Sequence, residues 1–519
     1  MSGAPEASAA ISRGRRPEGA DFFDFPALAL TAVAAAYVGT YVHVAVARMQ
    51  YPFVLEWVES HSLQILQRLA EGKPLYVAPT IDYIPPIYPP LYFLVAGALA
   101  PITGVGFVTL RLVSFVSSLG CLWMIWSAVA SDRRSTVGAS VACGLFAAAY
   151  PLSASWFDVG RVDTAMLFAV LAAIHLSSPG RSRRSVALGT CAACVSLFTK
   201  QSALLACVTC FCAVAMRDRR AALKMAVASA IVVGVGVLCA HVLYGGWFER
   251  FVIEHPSRHG FEIHDALRMW RKRFLRPLFV AAAIGALWTL CRASRRPLWV
   301  HHAVCAGGLL AASWFGSVKL GAGRNALLPA YAAMAILAGL AVDDVHRRRG
   351  TRRFVWMATA AAVALQLWIL RYDPQRWIPT PEDLRAGTML VERIAAVDGD
   401  VFVPAQDYLA RMAGKRGHAH STAIGESIGS YDRDRTATAF APAIIKAIRS
   451  QFGAAIVEHG FDRDRRLLGR RFRYAGSLIE DPKVFRPVAG GRGRPDALFV
   501  RARSAPRSST TTPQDGGPR

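Results

Sequence analysis

Long apolar runs separated by short basic clusters dominate the chain up to about residue 371. The runs lie near 25–47, 107–130, 136–155, 164–178, 185–199, 202–216, 225–244, 277–291, 298–315, 326–343 and 354–371. A helix crossing the roughly 30 Å hydrocarbon core of a bilayer needs about 20 mostly apolar residues, so the pattern predicts a polytopic α-helical membrane protein with eleven crossings. The first run is too long, and followed by too little of a cleavage site, to be a signal peptide. Pro86–Ala100 also reads as a helix. Counting it as a crossing would put Arg133 and Arg134 on the wrong side, so 86–103 is expected to be a re-entrant or interfacial helix lying on protein.

Basic residues fix the orientation. Arg13/Arg15/Arg16, Arg133/Arg134, Arg181/Arg183/Arg184, Arg217/Arg219/Arg220/Lys224, Arg292/Arg295/Arg296 and Arg347/Arg348/Arg349/Arg352/Arg353 fall between runs in the segments that would face the cytoplasm, with the N-terminal residues 1–24. The opposite face then receives 48–85, 156–163, 245–276, 316–325 and everything after about Tyr372. The Arg-rich 245–276 loop runs against the rule, which long loops escape. Beyond Tyr372 the apolar runs stop. Strand-like Val401-Phe402-Val403, helical Ala441–Phe452 and strand-like Ala454–Val457 predict a small extracytoplasmic α/β domain over 372–502. The Ser/Thr/Pro/Gly-rich end, from about 503 and most marked over Ser504–Arg519, is expected to be disordered.

Composition agrees with the pattern. The chain is 53% hydrophobic and 18% charged, with a mean hydropathy of +0.31, where a soluble domain carries about 25% charged residues. A disordered chain is excluded and a soluble enzyme disfavoured. The net charge of +25 raises nucleic acid as a partner, but the placement of the cations between apolar runs argues against one.

All ten cysteines lie in apolar helices, so the extracytoplasmic parts carry no disulfide. Cys191-x-x-Cys194 and Cys207-x-x-Cys210 imitate a zinc ribbon but sit in apolar runs that offer no polar support for a metal. Gly104-x-Gly106 and Gly234-x-Gly236 follow no soluble strand and read as helix-packing glycines.

Several polar residues need a reason. After the first run comes Glu56-Trp57-Val58-Glu59, opening a short amphipathic helix ended by Gly72. Two readings of the acids stand: as helix caps they favour the helix dipole, and a carboxylate at the membrane surface suits removal of a proton from an acceptor hydroxyl. Tyr83-Ile84-Pro85-Pro86-Ile87-Tyr88-Pro89-Pro90 stiffens the approach to the half-inserted helix. In Asp158-Val159-Gly160-Arg161-Val162-Asp163, the acids either cap and pair with Arg161 or form a second acidic site for a divalent metal (Mg or Mn, at Asp163) or sugar hydroxyls, with Arg161 holding phosphate. Lys200, Lys319 and Arg324 stand in turns on the same face, where converging cations suit a membrane-bound phosphate.

In these features the chain resembles the GT-C superfamily, polytopic glycosyltransferases using polyprenyl-phosphate sugars, and most nearly the family 39-like, protein O-mannosyltransferase and lipopolysaccharide-core transferase type. The resemblance rests on the acids after the first helix, Leu66–Tyr76, Tyr88-Pro89-Pro90-Leu91, Gly160-Arg161-Val162-Asp163, Phe198-Thr199-Lys200-Gln201 and Gly323-Arg324-Asn325-Ala326-Leu327-Leu328-Pro329. It implies a transmembrane catalytic domain over 25–371 in a bacterial-type inner membrane. It also implies an inverting transfer from a polyprenyl-phosphate donor to an acceptor hydroxyl, with the first-loop acid as base. The family commonly has an adjacent Asp-Glu pair there. By distance to Gly72, Glu59 matches its Glu while Val58 replaces its Asp, which leaves the base open between Glu59 and Glu56. Donor phosphate and substrate contacts would come from Asp158, Arg161, Asp163, Lys200, Lys319, Arg324 and Tyr88. The acceptor, whether glycan, lipid or protein, is open. The competing readings are a polysaccharide polymerase or ligase with a lipid-diphosphate donor, and a lipid-linked-glycan transporter.

Overall fold

The computed structural model describes residues 24–130, 136–433, 438–459, 462–490 and 493–502. Segment 1–23, Arg133/Arg134 and the tail from 503 onward, for which a cytoplasmic position or disorder is expected, lie outside the described residues.

The first half of the chain is a succession of helices: α1 (Phe25–Arg48), α2 (Glu59–Ala70), α3 (Leu91–Thr103), α4 (Phe107–Val129), α5 (Val137–Ala148), α6 (Val162–Leu176), α7 (Arg183–Thr199), α8 (Leu204–Ala215) and α9 (Arg219–Tyr244). Phe279–Arg292, Pro297–Ser317, Leu328–Arg347 and Arg353–Ile369 follow. Local chemistry sets their ends. The Asp24 carboxylate caps α1 through the Ala27 N–H (3.1 Å), and Asp218 caps α9 through Ala221 (2.9 Å).

Among the described residues, five helices are long and apolar enough to cross a membrane, or seven if two bent pairs each count as one. That is fewer than eleven, because the runs near 136–155, 164–178, 185–199 and 202–216 form helices too short to qualify alone. Burial separates the qualifying helices by role. In the most apolar window of Arg324–Arg347, 83% of residues are buried, against 6% for Arg219–Tyr244. Ile231, Val235, Leu238 and Val242 of α9 are exposed. A bare apolar helix of this length is stable only against lipid, so the chain is a membrane protein whose central helix is Leu328–Arg347.

Helix α3, only 13 residues long, is folded against the start of α4. Near its start the Tyr92 hydroxyl donates to the Leu110 carbonyl (2.8 Å), and at its end Thr103 meets Thr109 (2.6 Å). Both ends therefore rest on the first turns of α4. Arg111 of α4 also donates to the carbonyls of Tyr51 and Phe53, each at 2.6 Å, which places the end of α1 on that same side.

The C-terminal part carries a four-stranded sheet of β1 (Val401–Phe402), β2 (Ala454–Val457), β3 (Phe472–Ser477) and β4 (Ala497–Arg501), in the order β1-β2-β4-β3. The first pair is parallel and the others antiparallel. The helices Pro381–Ala395, Ser421–Ser427 and Ala441–Gln451 accompany it. Its core (Phe402, Ile448, Phe452, Ile456) is continuous with Phe53, Ile65, Tyr92 and Leu110 of α2, α3 and the start of α4. The sheet-bearing part is thus packed directly on the elements that carry the first-loop acids.

Candidate active site

A cavity of about 730 Å³ opens between the helix ends and the sheet-bearing part. Glu56, Tyr88, Arg161, Asp163, Lys200 and Lys319 all line it. Glu59, Asp158 and Arg324 do not.

Sequence places the polar wall simply. Arg161 is the extended residue before α6, and Asp163 stands in that helix's first turn. Lys200 is the extended residue after α7. The two segments meet where Lys200 Nζ donates to Asp163 Oδ1 (2.6 Å), and Asn325 Nδ2 donates to the same oxygen (2.8 Å). The proline-stiffened run presents Tyr88, whose hydroxyl accepts from Arg161 Nη2 at 3.3 Å. The Arg161 guanidinium lies 5.6 Å from the Tyr88 ring and 5.4 Å from that of Trp156, a cation–π clamp. Gln201 ties this wall to the loops by donating to the carbonyls of Ile87 (2.9 Å) and Val252 (3.1 Å). Leu204, Leu205, Val252, Ile253, Leu309 and Phe315 make the rest of the lining strongly apolar.

The two first-loop acids have different fates. Glu59 is fully buried. It receives Arg111 on both oxygens (3.1 and 3.0 Å), the Gly160 N–H (2.6 Å) and the Leu55 N–H (2.7 Å). Burial alone would raise its pKa, but Arg111 and these donors hold it below the usual carboxylate value. Gly160 is required for this approach, since a Cβ there would lie 2.8 Å from Leu110 Cβ and 3.4 Å from Glu59 Oε1. Every lone-pair direction of Glu59 is thus committed to a donor within the protein.

Glu56 takes only the Val58 N–H, at 3.0 Å on Oε2. Its Oε1 is buried without a hydrogen-bond partner. Burial raises its pKa to about 8 against the opposing charge of Arg161, with smaller upward pushes from Glu59 and Asp163. Ladder pairing of Glu56 with Ala489, and the Ala489 N–H donating to the Leu55 carbonyl (2.8 Å), hold the loop from the sheet-bearing side. Glu56 thus faces the cavity and Glu59 does not.

Asp158 is bound to Arg48 (2.7 and 2.8 Å) and accepts from the Tyr150 hydroxyl at 3.0 Å, a buried ion pair away from the cavity. Arg324 faces Arg273 and Tyr331, while its neighbour Asn325 reaches the site. Lys319 lines the cavity, donates to the Pro256 carbonyl (3.1 Å) and lies 4.8 Å from the Phe261 ring. Burial and the nearby Arg433 lower its pKa.

The carboxylate atoms facing the cavity fit a resident divalent cation poorly. Asp163 Oδ2 and Glu56 Oε1 have no partner, yet fixed cations, Arg161 and Lys200, already supply positive charge beside them. Among the described residues, no group of three His, Cys, Asp or Glu is arranged to hold a metal, at Asp163 or at the two Cys-x-x-Cys pairs. Those four cysteines are free thiols.

Sequence reasoning passed over Arg48, Arg111 and Asn325. A signal existed for Arg111, because a charge within an apolar run demands a partner. It also passed over the sheet-bearing side of the cavity, formed by Thr422, Glu426 and Tyr431 with His259. Asp407, His418 and His420, on the same sheet-bearing side, are all buried.

No protein-family model matches the chain, and no curated protein matches it. Solved structures do. ArnT from Cupriavidus metallidurans bound to undecaprenyl phosphate superposes with a TM-score of 0.57 at 15% identity, covering 93% of this chain and 100% of that one. The same protein in the apo state gives 0.57 at 15% identity, covering 91% and 98%. The chain thus has the fold of ArnT along nearly its whole length.

Proposed function

We propose that the protein is a GT-C-type glycosyltransferase that moves a sugar from a polyprenyl-phosphate donor to an acceptor hydroxyl on the extracytoplasmic face of the membrane. One observation carries this reading: in a fold shared with a protein crystallised with undecaprenyl phosphate, a single cavity combines a buried carboxylate with one unpartnered oxygen, Glu56 Oε1, with the cations Arg161 and Lys200 and an apolar wall. A lipid phosphate needs the last two features, and activation of a hydroxyl needs the first.

In the mechanism, the prenyl chain lies along Leu204, Leu205, Val252, Ile253, Leu309 and Phe315, and the phosphate sits against Arg161 and Lys200. Glu56 takes the acceptor hydroxyl proton on Oε1. The acceptor oxygen attacks the anomeric carbon from the face opposite the phosphate, and the carbon–oxygen bond to phosphate breaks with its electron pair going to polyprenyl phosphate. One displacement inverts the anomeric configuration, the single-step logic of inverting glycosidases with an alcohol in place of water. Arg161 and Lys200 stabilise the charge growing on the leaving phosphate, worth up to a few kcal/mol per well-placed donor. The raised pKa of Glu56 makes it a stronger base once ionised. No step passes through a metal.

The test is transfer of labelled sugar from polyprenyl monophosphate to a membrane glycolipid extract, with the full chain in lipid nanodiscs. Wild type transfers, and Glu56→Gln folds normally but does not. Undiminished transfer by Glu56→Gln, or transfer from a lipid diphosphate only, would sink the proposal.

A further inference from the structure

The cavity has a second wall, built by the sheet-bearing part, and its chemistry differs from the first. Helix Ser421–Ser427 contributes Thr422 and Glu426, four residues apart and so on one helix face. Thr422 Oγ1 is buried and has no hydrogen-bond partner. Glu426 Oε2 is held at 2.7 Å from His259 Nε2. Two half-buried aromatic residues join them, Trp57 from the first loop and Tyr431 from beyond the helix. The Trp57 ring lies 5.3 Å from that of His420, just before Thr422.

Backbone pairing fixes this wall against the membrane part. The Gly260 N–H donates to the Tyr431 carbonyl (3.0 Å), Arg433 N–H to Arg258 (3.0 Å), Leu320 N–H to Gly260 (2.8 Å) and Glu262 N–H to Val318 (2.7 Å). Three separate loops thereby form one short ladder beside the cavity. Glu56 stands between the walls: its charge interacts with Arg161 on one side, and its backbone pairs with Ala489 on the other.

A hydroxyl, a carboxylate and flat aromatic faces are what sugar rings bind: polar groups meet ring hydroxyls, and aromatic faces meet the apolar C–H faces of the ring. A phosphate would seek cations; Arg161 and Lys200 stand on the other wall, and Lys319 stands in the ladder beside this one, where its ammonium is taken up by the Pro256 carbonyl (3.1 Å) and the Phe261 ring. We infer that Thr422, Glu426, Trp57 and Tyr431 form the acceptor subsite, and that the acceptor is a carbohydrate whose attacking hydroxyl belongs to a sugar ring. This rests on the transferase reading above. It divides the cavity into a phosphate wall and a sugar wall with Glu56 at their junction.

Direct binding tests the inference without requiring turnover. The full chain in neutral-lipid nanodiscs is titrated with a panel of methyl glycosides and β-linked disaccharides, with a Ser/Thr peptide, and separately with undecaprenyl phosphate. At least one glycoside should bind saturably, still bind when undecaprenyl phosphate is present, and weaken about tenfold in Thr422→Val, the loss expected for one hydrogen bond to a buried group. Tyr431→Leu should weaken it as well, while Arg161→Gln leaves it unchanged. Undecaprenyl phosphate should show the reverse pattern, weakened by Arg161→Gln and indifferent to Thr422→Val. No glycoside binding up to the solubility limit, binding unaffected by both wall variants, or preference for the peptide overturns the inference. Failure of undecaprenyl phosphate to bind wild type, with glycoside binding intact, overturns the donor reading and leaves the sugar wall standing.

Discussion

Arg111 grips Glu59 through two nitrogens at 3.1 and 3.0 Å, and neither side chain is exposed to solvent. The remaining guanidinium hydrogen bonds go to the backbone carbonyls of 48–53. One arginine inside an apolar helix therefore ties together the end of α1, the first loop and the start of α2. Removing one partner of such a pair costs about 3–5 kcal/mol, because the other charge stays buried and unpaired. Glu59→Ala and Arg111→Ala should each unfold well below wild type in a detergent thermal melt. Arg111→Lys should not recover the loss, since an ammonium cannot reproduce the fork.

Glu56→Gln should behave in the opposite way. Its melting temperature should match wild type or exceed it, because an uncharged amide suits the buried site, while transfer falls about 10²- to 10⁴-fold, the usual worth of a general base. Equal melting losses for Glu56→Gln and Glu59→Gln would show that the two acids share one structural role.

The pH profile carries a signature of Glu56. Burial, helped by the like charges of Glu59 and Asp163, outweighs the opposing charge of Arg161 to give a pKa of about 8. The base is active when ionised, so kcat/KM should rise with pH and level off above about 8. A Glu56→Asp variant with residual activity should move this limb, and a limb centred near pH 4 in wild type would remove Glu56 from the role.

The comparison of the two acids also shows what the sequence made legible. The membrane class, the short helix within 86–103 and the cavity residues Tyr88, Arg161, Asp163 and Lys200 follow from hydropathy and from charges at helix ends, which are local signals. The division of labour between Glu56 and Glu59 depends on Arg111, far along the chain in an apolar run, and on Gly160, whose missing Cβ admits the contact. Asp158 misled for the same reason, since its partner Arg48 is the last residue of α1 and looks like an interfacial anchor. The sugar wall was invisible because Thr422, Glu426 and Tyr431 carry no motif and meet the cavity only through tertiary packing.

Arg161→Gln and Lys200→Met should each weaken binding of undecaprenyl phosphate, by about 1–3 kcal/mol for a charge-assisted hydrogen bond. Lys200→Met should also lower stability, since Asp163 then keeps only Asn325. Because these side chains provide the positive charge, chelation of divalent cations should leave lipid-phosphate binding unchanged, as isothermal titration with and without EDTA would show.

Asp407 predicts a stability slope. It is buried against Ser60 of α2, whose hydroxyl donates to it at 2.7 Å. Burial raises its pKa to about 7, against the smaller opposing effects of Ser60 and Arg411. Between about pH 4 and 7 the folded state keeps a proton that the unfolded chain releases, so stability should fall as pH rises through that window, by at most a few kcal/mol. Asp407→Asn should flatten the fall and leave the variant more stable than wild type at pH 8.

The ladder pairing of Glu56 with Ala489 has a consequence for how the protein comes into being. The chain is made from its N-terminus, so Glu56 is made early, while the segment around Ala489 that pairs with it follows more than 400 residues later. Until then its backbone lacks that pairing, and the cavity lacks the side formed by Thr422, Glu426 and Tyr431. On the proposed function, a growing or truncated chain should therefore bind a lipid phosphate at Arg161 and Lys200 without transferring sugar.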